Sequence, residues 1–93
     1  MSISRIDKNQ PEIVMALRQA GATVSHLHEI GKGMPDLAVG FRGVNYFFEV
    51  KDGSKAPSKQ RLTPDEERWH SEWRGQVAII RNADEALRLI GAL

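Results

Sequence analysis

Cysteine is absent from this chain, which excludes disulfides and thiolate metal sites and fits a reducing compartment. Long apolar runs are missing too. Nothing approaches the roughly eighteen consecutive apolar residues of a membrane span, and the amino terminus carries no apolar secretory segment. A soluble intracellular protein with no membrane partner is the expectation. Net charge is nearly absent at +1, which argues against a protein that holds nucleic acid by bulk electrostatics. The charge that exists is unevenly placed: residues 51–61 carry Lys51, Lys55, Lys59 and Arg61 against Asp52 alone. With 93 residues, 41% of them hydrophobic, the chain supports one domain across 1–93, small enough that a dimer partner would help to stabilise it. It contains no internal repeat and no low-complexity tract.

The most informative stretch is 34–51, Met-Pro-Asp-Leu-Ala-Val-Gly-Phe-Arg-Gly-Val-Asn-Tyr-Phe-Phe-Glu-Val-Lys. Two short runs rich in β-branched and aromatic residues, 37–41 and 45–50, flank Gly43 and read as a β-hairpin. A two-residue type II′ loop at Gly43-Val44 sets Arg42 opposite Asn45, Ala38 opposite Glu49 and Asp36 opposite Lys51. Alternation then puts Asp36, Ala38, Gly40, Phe47, Glu49 and Lys51 on one face, and Leu37, Val39, Phe41, Tyr46, Phe48 and Val50 on the other. Asp36 and Glu49 become diagonal neighbours at ~7 to 8 Å, close enough for a divalent cation between them to take an oxygen from each. Lys51 lies beside both, and Ala38 and Gly40 leave room for a phosphate to approach.

Around the hairpin, Asn9 and Pro11 start a helix over 10–20 that Gly21 closes. Glu12 falls at its third position, as half of a capping box or as an extra acid above the hairpin. Weak alternation predicts a strand over 22–27. It ends at His26 and His28, whose spacing would put both on one face, although two histidines without a third ligand read as surface groups rather than a zinc site. Gly31-Lys32-Gly33 is a flexible turn, where Lys32 can touch a phosphate or merely solubilise.

The polar, basic segment after Lys51 is a loop placed to gather phosphates. Thr63-Pro64-Asp65-Glu66 opens a helix with a capping box and carries it to about Trp73. Trp69 and Trp73, spaced i, i+4, form a stripe that packs on the sheet or anchors a dimer. A buried strand over 77–80 and a third helix opened by Asn82-Ala83-Asp84-Glu85 complete the order α-β-β-β-α-β-α.

Pro35-Asp36, the hairpin and Glu49-Val50-Lys51 together match the PD-(D/E)XK nuclease signature. With Gly33-Met34-Pro35-Asp36-Leu37 and Leu62-Thr63-Pro64, nearly the whole chain resembles the minimal virus-type replication-repair nuclease (VRR-NUC) domain. That resemblance implies an α/β fold with a central mixed sheet flanked by helices, and cleavage of DNA phosphodiesters with Mg²⁺ or Mn²⁺. It implies Asp36, Glu49 and the Val50 main-chain carbonyl as metal ligands, Lys51 as the catalytic amine, and an acid on the first helix, here Glu12. Relatives often carry a glutamine early in the Leu-Thr-Pro helix. This chain has Glu66 and Glu67 there, and Gln60 is the candidate substitute.

Lys32, Lys55, Lys59 and Arg61 are the expected DNA contacts. The likeness further suggests a homodimer acting on branched DNA such as Holliday junctions or flaps, or on duplex, in the cytoplasm of a bacterial or phage-infected cell. The competing expectations are a non-catalytic DNA-binding module, with Asp36 simply paired to Lys51, and a nuclease-like subunit of a larger DNA-processing complex.

Overall fold

The computed structural model describes residues 6–93; residues 1–5, to which the expectations about the amino terminus and a single 1–93 domain extend, lie outside them. Helix α1 spans Gln10–Gln19, with Pro11 in its first turn, where a missing N–H costs no helical hydrogen bond. Gln10, Ile13, Val14 and Leu17 make its buried stripe at helical spacing. The strands are β1 (Thr23–His26), β2 (Leu37–Phe41), β3 (Val44–Val50) and β4 (Ala78–Ile80). Between β3 and β4 lie a 3₁₀ turn at Pro57–Lys59 and helix α2 (Pro64–Glu72); helix α3 (Ala83–Leu89) follows β4. This is the anticipated α-β-β-β-α-β-α order around a mixed sheet. The strands lie side by side in chain order, the first three antiparallel and β4 parallel to β3.

The hairpin turn differs from expectation in an instructive way. Phe41 pairs with Val44 and Ala38 with Phe47, so the loop residues are Arg42 and Gly43, at φ 51° and 80°. Positive φ at both positions is the pattern of a type I′ turn, whose twist matches the flanking strands, rather than type II′. The register therefore sits two residues from the one expected. Because side chains alternate with a period of two, an even displacement leaves every residue on its anticipated face. Continuing the ladder one step past Leu37 and Phe48 brings Asp36 directly opposite Glu49 instead of diagonal to it.

One face of the sheet makes the core. Leu37, Val39, Phe41, Phe48, Val50 and Ile80 pack with Ile13, Val14 and Leu17 of α1 and with Ala86 and Ile90 from α3 and its end. The opposite face is open except where α2 lies across it. There Phe47 meets Trp69 and Trp73 edge-on, at ring-centre distances of 6.1 and 5.5 Å, and the two indoles stack at 4.6 Å. The tryptophan stripe does pack on the sheet, but Trp73 stays 42% exposed and no residue of α2 is fully buried. Apolar burial therefore contributes little to holding α2, and its position rests on specific contacts.

One such contact comes from the loop before β2. Gly33, at φ 82°, passes so close to the main chain of Asp65 and Glu66 that a Cβ there would overlap the Asp65 carbonyl. Asn9 stands at the start of α1 but does not cap it. Its amide instead donates to the carbonyls of Lys51 (3.0 Å) and Arg81 (2.9 Å), tying α1 to the ends of β3 and β4. Gly33→Ala must both strain the backbone and push α2 away. We expect it to destabilise the protein by about 2 kcal/mol or more in urea unfolding; an unchanged midpoint would show that the loop and helix separate freely.

Candidate active site

The hairpin places Asp36, Glu49 and Lys51 at one end of the open face. Asp36, just before β2, accepts a hydrogen bond from the Val50 main-chain N–H at 2.7 Å, which locks its carboxyl against the end of β3. Residues in an antiparallel ladder exchange both of their backbone bonds on the same side, so the Val50 carbonyl lies on the edge of β3 that faces Asp36. Lys51, one step on, donates its N–H the other way, to Ile80 at 2.9 Å. Glu49 is 1% exposed, and its Oε1 is buried without a hydrogen-bond partner. Burial, reinforced by hydrogen bonding to Asp36 and by the charges of Asp36 and Glu66, pushes its carboxyl up to about 11.

Helix α2 closes the site from above with residues that did not figure as site candidates in the sequence. Glu66 Oε1 accepts from Lys51 Nζ at 2.8 Å and from the Thr63 main-chain N–H at 2.9 Å. The capping box that starts the helix thus also holds the lysine. Burial alone would lower the Lys51 ammonium, but its hydrogen bond to Glu66 and the charges of Glu66, Glu49 and Asp36 raise it. Burial likewise works to raise Glu66, and its bonds from Lys51 and Thr63 outweigh that and lower it. One turn further along, His70 faces Glu49, with Nε2 3.8 Å from Oε1. Burial, the larger effect, holds the imidazole below its usual range.

Several expected site residues lie elsewhere. Glu12 is exposed and lines a depression with Lys8, Asp52 and Arg81, away from Asp36 and Glu49. It sits two residues from buried Gln10, about 200° around the helix, so core packing of α1 turns it outward. With Asn9 not capping, no capping box forms there either. Near the start of α1, the carboxyl of Asp7 is raised by burial and then by the charge of Asp36.

Gln60 does not reach the site. Its amide donates to the Lys55 carbonyl at 2.7 Å and accepts from Arg81 Nε at 2.9 Å, so it braces the basic loop. Lys55, Lys59 and Arg61 are exposed on that segment. Lys32 is exposed beside α2, in a depression whose walls include none of those three. His26 meets Gln10 at 3.3 Å, with the His28 ring 6.0 Å away. The expected partner of Lys51 in the non-catalytic reading was Asp36; the partner found is Glu66.

Among the described residues, no three His, Cys, Asp or Glu side chains are gathered as a metal cage. The donors that converge are two carboxylates and a strand-edge carbonyl, an open all-oxygen set of the kind hard divalent cations accept with water completing the shell. The buried, unpartnered Glu49 oxygen fits such a cation, because a carboxylate this desolvated needs a positive neighbour to ionise.

No protein-family model and no curated protein matches the chain. A solved structure described as a VRR_NUC domain is similar to it over 89% of this chain and 90% of its own length, with 29% sequence identity and a TM-score of 0.65. The likeness therefore extends over most of the chain rather than over a local motif.

The raised Glu49 carboxyl has a thermodynamic consequence. The unfolded chain releases this proton near 4.5, whereas the folded chain keeps it to about 11. Between those values the unfolded state binds fewer protons, so rising pH destabilises the metal-free protein, by at most about 1.4 kcal/mol per pH unit from this one group. Glu49→Gln abolishes that titration. Its stability advantage over wild type in EDTA should widen from pH 5.5 to pH 9 in urea unfolding; a constant difference would mean that Glu49 ionises as an ordinary surface acid.

Proposed function

We propose that this chain, whose architecture is that of a VRR-NUC nuclease-like domain, is a divalent-metal-dependent DNA endonuclease that hydrolyses phosphodiesters. The observation that carries the reading is the convergence of Asp36, Glu49 and Lys51 on the non-core face of one hairpin, with the Val50 carbonyl at its edge. Asp36, Glu49 and that carbonyl would hold Mg²⁺ or Mn²⁺, which when bound lowers the pKa of water and neutralises charge on a phosphate.

The chain's own groups do the rest. Lys51, oriented by Glu66, presents an ammonium where charge builds up on the attacked phosphate and stabilises the pentacovalent transition state. Ala38 and Gly40, on the same face, leave the approach to it low. Lys55, Lys59 and Arg61, on the segment that leaves β3, gather the flanking phosphates. Such contacts fix position without reading sequence, which suits a substrate recognised by shape. Branched DNA, a junction or a flap, is the substrate class we propose, in replication, recombination or repair. A homodimer suits a two-stranded symmetric substrate, and the working compartment is the cytoplasm. No helix among the described residues is long and apolar enough to cross a membrane.

Cleavage of junction, flap, single-stranded and linear DNA, with Mg²⁺ and with EDTA, tests this directly. We expect metal-dependent cutting that favours the branched forms, and a loss of about 100-fold or more in Lys51→Ala, the scale of removing one preorganised transition-state donor. A folded Lys51→Ala protein that cuts at the wild-type rate would remove the lysine from the chemistry. DNA binding without cleavage under any divalent ion would favour the binding-module reading. Light scattering should give twice the mass of one chain; a monodisperse monomer would remove the dimer.

A further inference from the structure

Asp36 and Glu66 both lie near the Glu49 carboxyl, yet one of its oxygens is left without a partner. Asp36 stands across the ladder from it, but its Oε1 points toward α2 and meets no donor. Facing it there is His70 Nε2, itself buried and also without a partner. Two unpartnered buried polar atoms, one on a strand and one on the helix laid over it, are costly apart, since each forfeits its hydrogen bonds to water. They stand 3.8 Å from each other, so an approach of about 1 Å gives a normal N–H···O bond. Glu66 and His70 are one helical turn apart and so share a face of α2. The first reaches down to Lys51 and the second to Glu49.

We propose that His70 is a positioning residue of the metal site: its Nε2–H holds the free oxygen of Glu49 in the orientation that ligates the cation. This rests on the reading of Asp36 and Glu49 as metal ligands. Carboxylate ligands are themselves commonly hydrogen-bonded, and removing such an outer partner costs about 10- to 100-fold in metal affinity. The indole beside His70 suits this role. Trp69, next to it in the chain, has its ring centre 6.0 Å from the imidazole and packs on Phe47, which helps to fix the direction in which His70 points.

Mn²⁺ binding to the full chain, measured by calorimetry and by the loss of the free-ion EPR signal, tests the assignment without reference to cleavage. His70→Leu should bind Mn²⁺ about 10- to 100-fold more weakly than wild type. His70→Gln, whose amide reaches a similar point and can donate, should recover most of that loss. Near-ultraviolet circular dichroism of Trp69 and Trp73 reports whether α2 stays in place; if His70→Leu does not fold, His70→Ala makes the same comparison with His70→Gln.

Equal affinity in wild type and the apolar variant overturns the assignment, as does an equal deficit in the glutamine and apolar variants. Inner-sphere nitrogen coupling to bound Mn²⁺ in pulsed EPR would also overturn it, making His70 a ligand rather than a support. Wild type that binds no Mn²⁺, or binds it as well after Asp36→Asn and Glu49→Gln, removes the metal site itself and this inference with it.

Discussion

A carboxyl group taken almost completely out of water at the end of β3 is the constraint around which this small protein is arranged. Glu49 is 1% exposed, and a carboxylate in that setting must be neutralised by a proton, a cation or well-placed donors. Neighbouring acids make the choice sharper, because Asp36 and Glu66 both oppose a second negative charge. The one amine in the cluster, Lys51, is engaged at 2.8 Å by Glu66. What results is an acidic pocket that favours any added positive charge, and whose own ammonium is already pinned. Its buried polar groups are costly to the fold, and the proposed cation would offset that cost by neutralising them.

Much of this was legible in the sequence because it depends on parity. The alternation of Leu37, Val39, Phe41 with Ala38 and Gly40, and of Phe48 and Val50 with Phe47 and Glu49, fixes which face each residue takes in any hairpin of even register. The turn itself is of another type than the one the sequence suggests. Gly43 suggested the first position of a type II′ loop, while the chain puts Arg42 there at φ 51° and Gly43 second. Arginine is a poor marker for a left-handed position, so no local signal pointed to type I′; the stacking of its guanidinium 4.8 Å over Phe41 is a contact seen only after folding. The faces survived the error because the displacement was two residues, and the corrected register brings the acids closer together.

The residues that sequence reasoning missed are those delivered by tertiary contact. Glu66 was read as a capping-box acid, which it is, but that role did not show which way its second interaction pointed. A partial signal existed: Glu66 and His70 share a helix face, as do Trp69 and Trp73, and a helix with polar and aromatic pairs side by side lays both on whatever it crosses. Glu12 failed for the opposite reason. Its position at the third residue of α1 satisfied a local pattern, yet the buried face of Gln10, Ile13, Val14 and Leu17 decides how that helix rolls. Asp7, before the helix begins, escapes this restriction, and its carboxyl is raised by burial and by the charge of Asp36.

These placements make α2 the element on which site geometry turns. A helix with no fully buried residue has little apolar area to resist displacement, and the energy of burial scales with that area. Its position is set by the close pass of Gly33, the edge-on packing of Phe47, the Lys51–Glu66 pair and the approach of His70 to Glu49. Three of these four contacts lead to residues on the hairpin face that carries the acids. The same interactions therefore fix the helix and orient the buried charged groups beneath it, so a change in one is felt by the other.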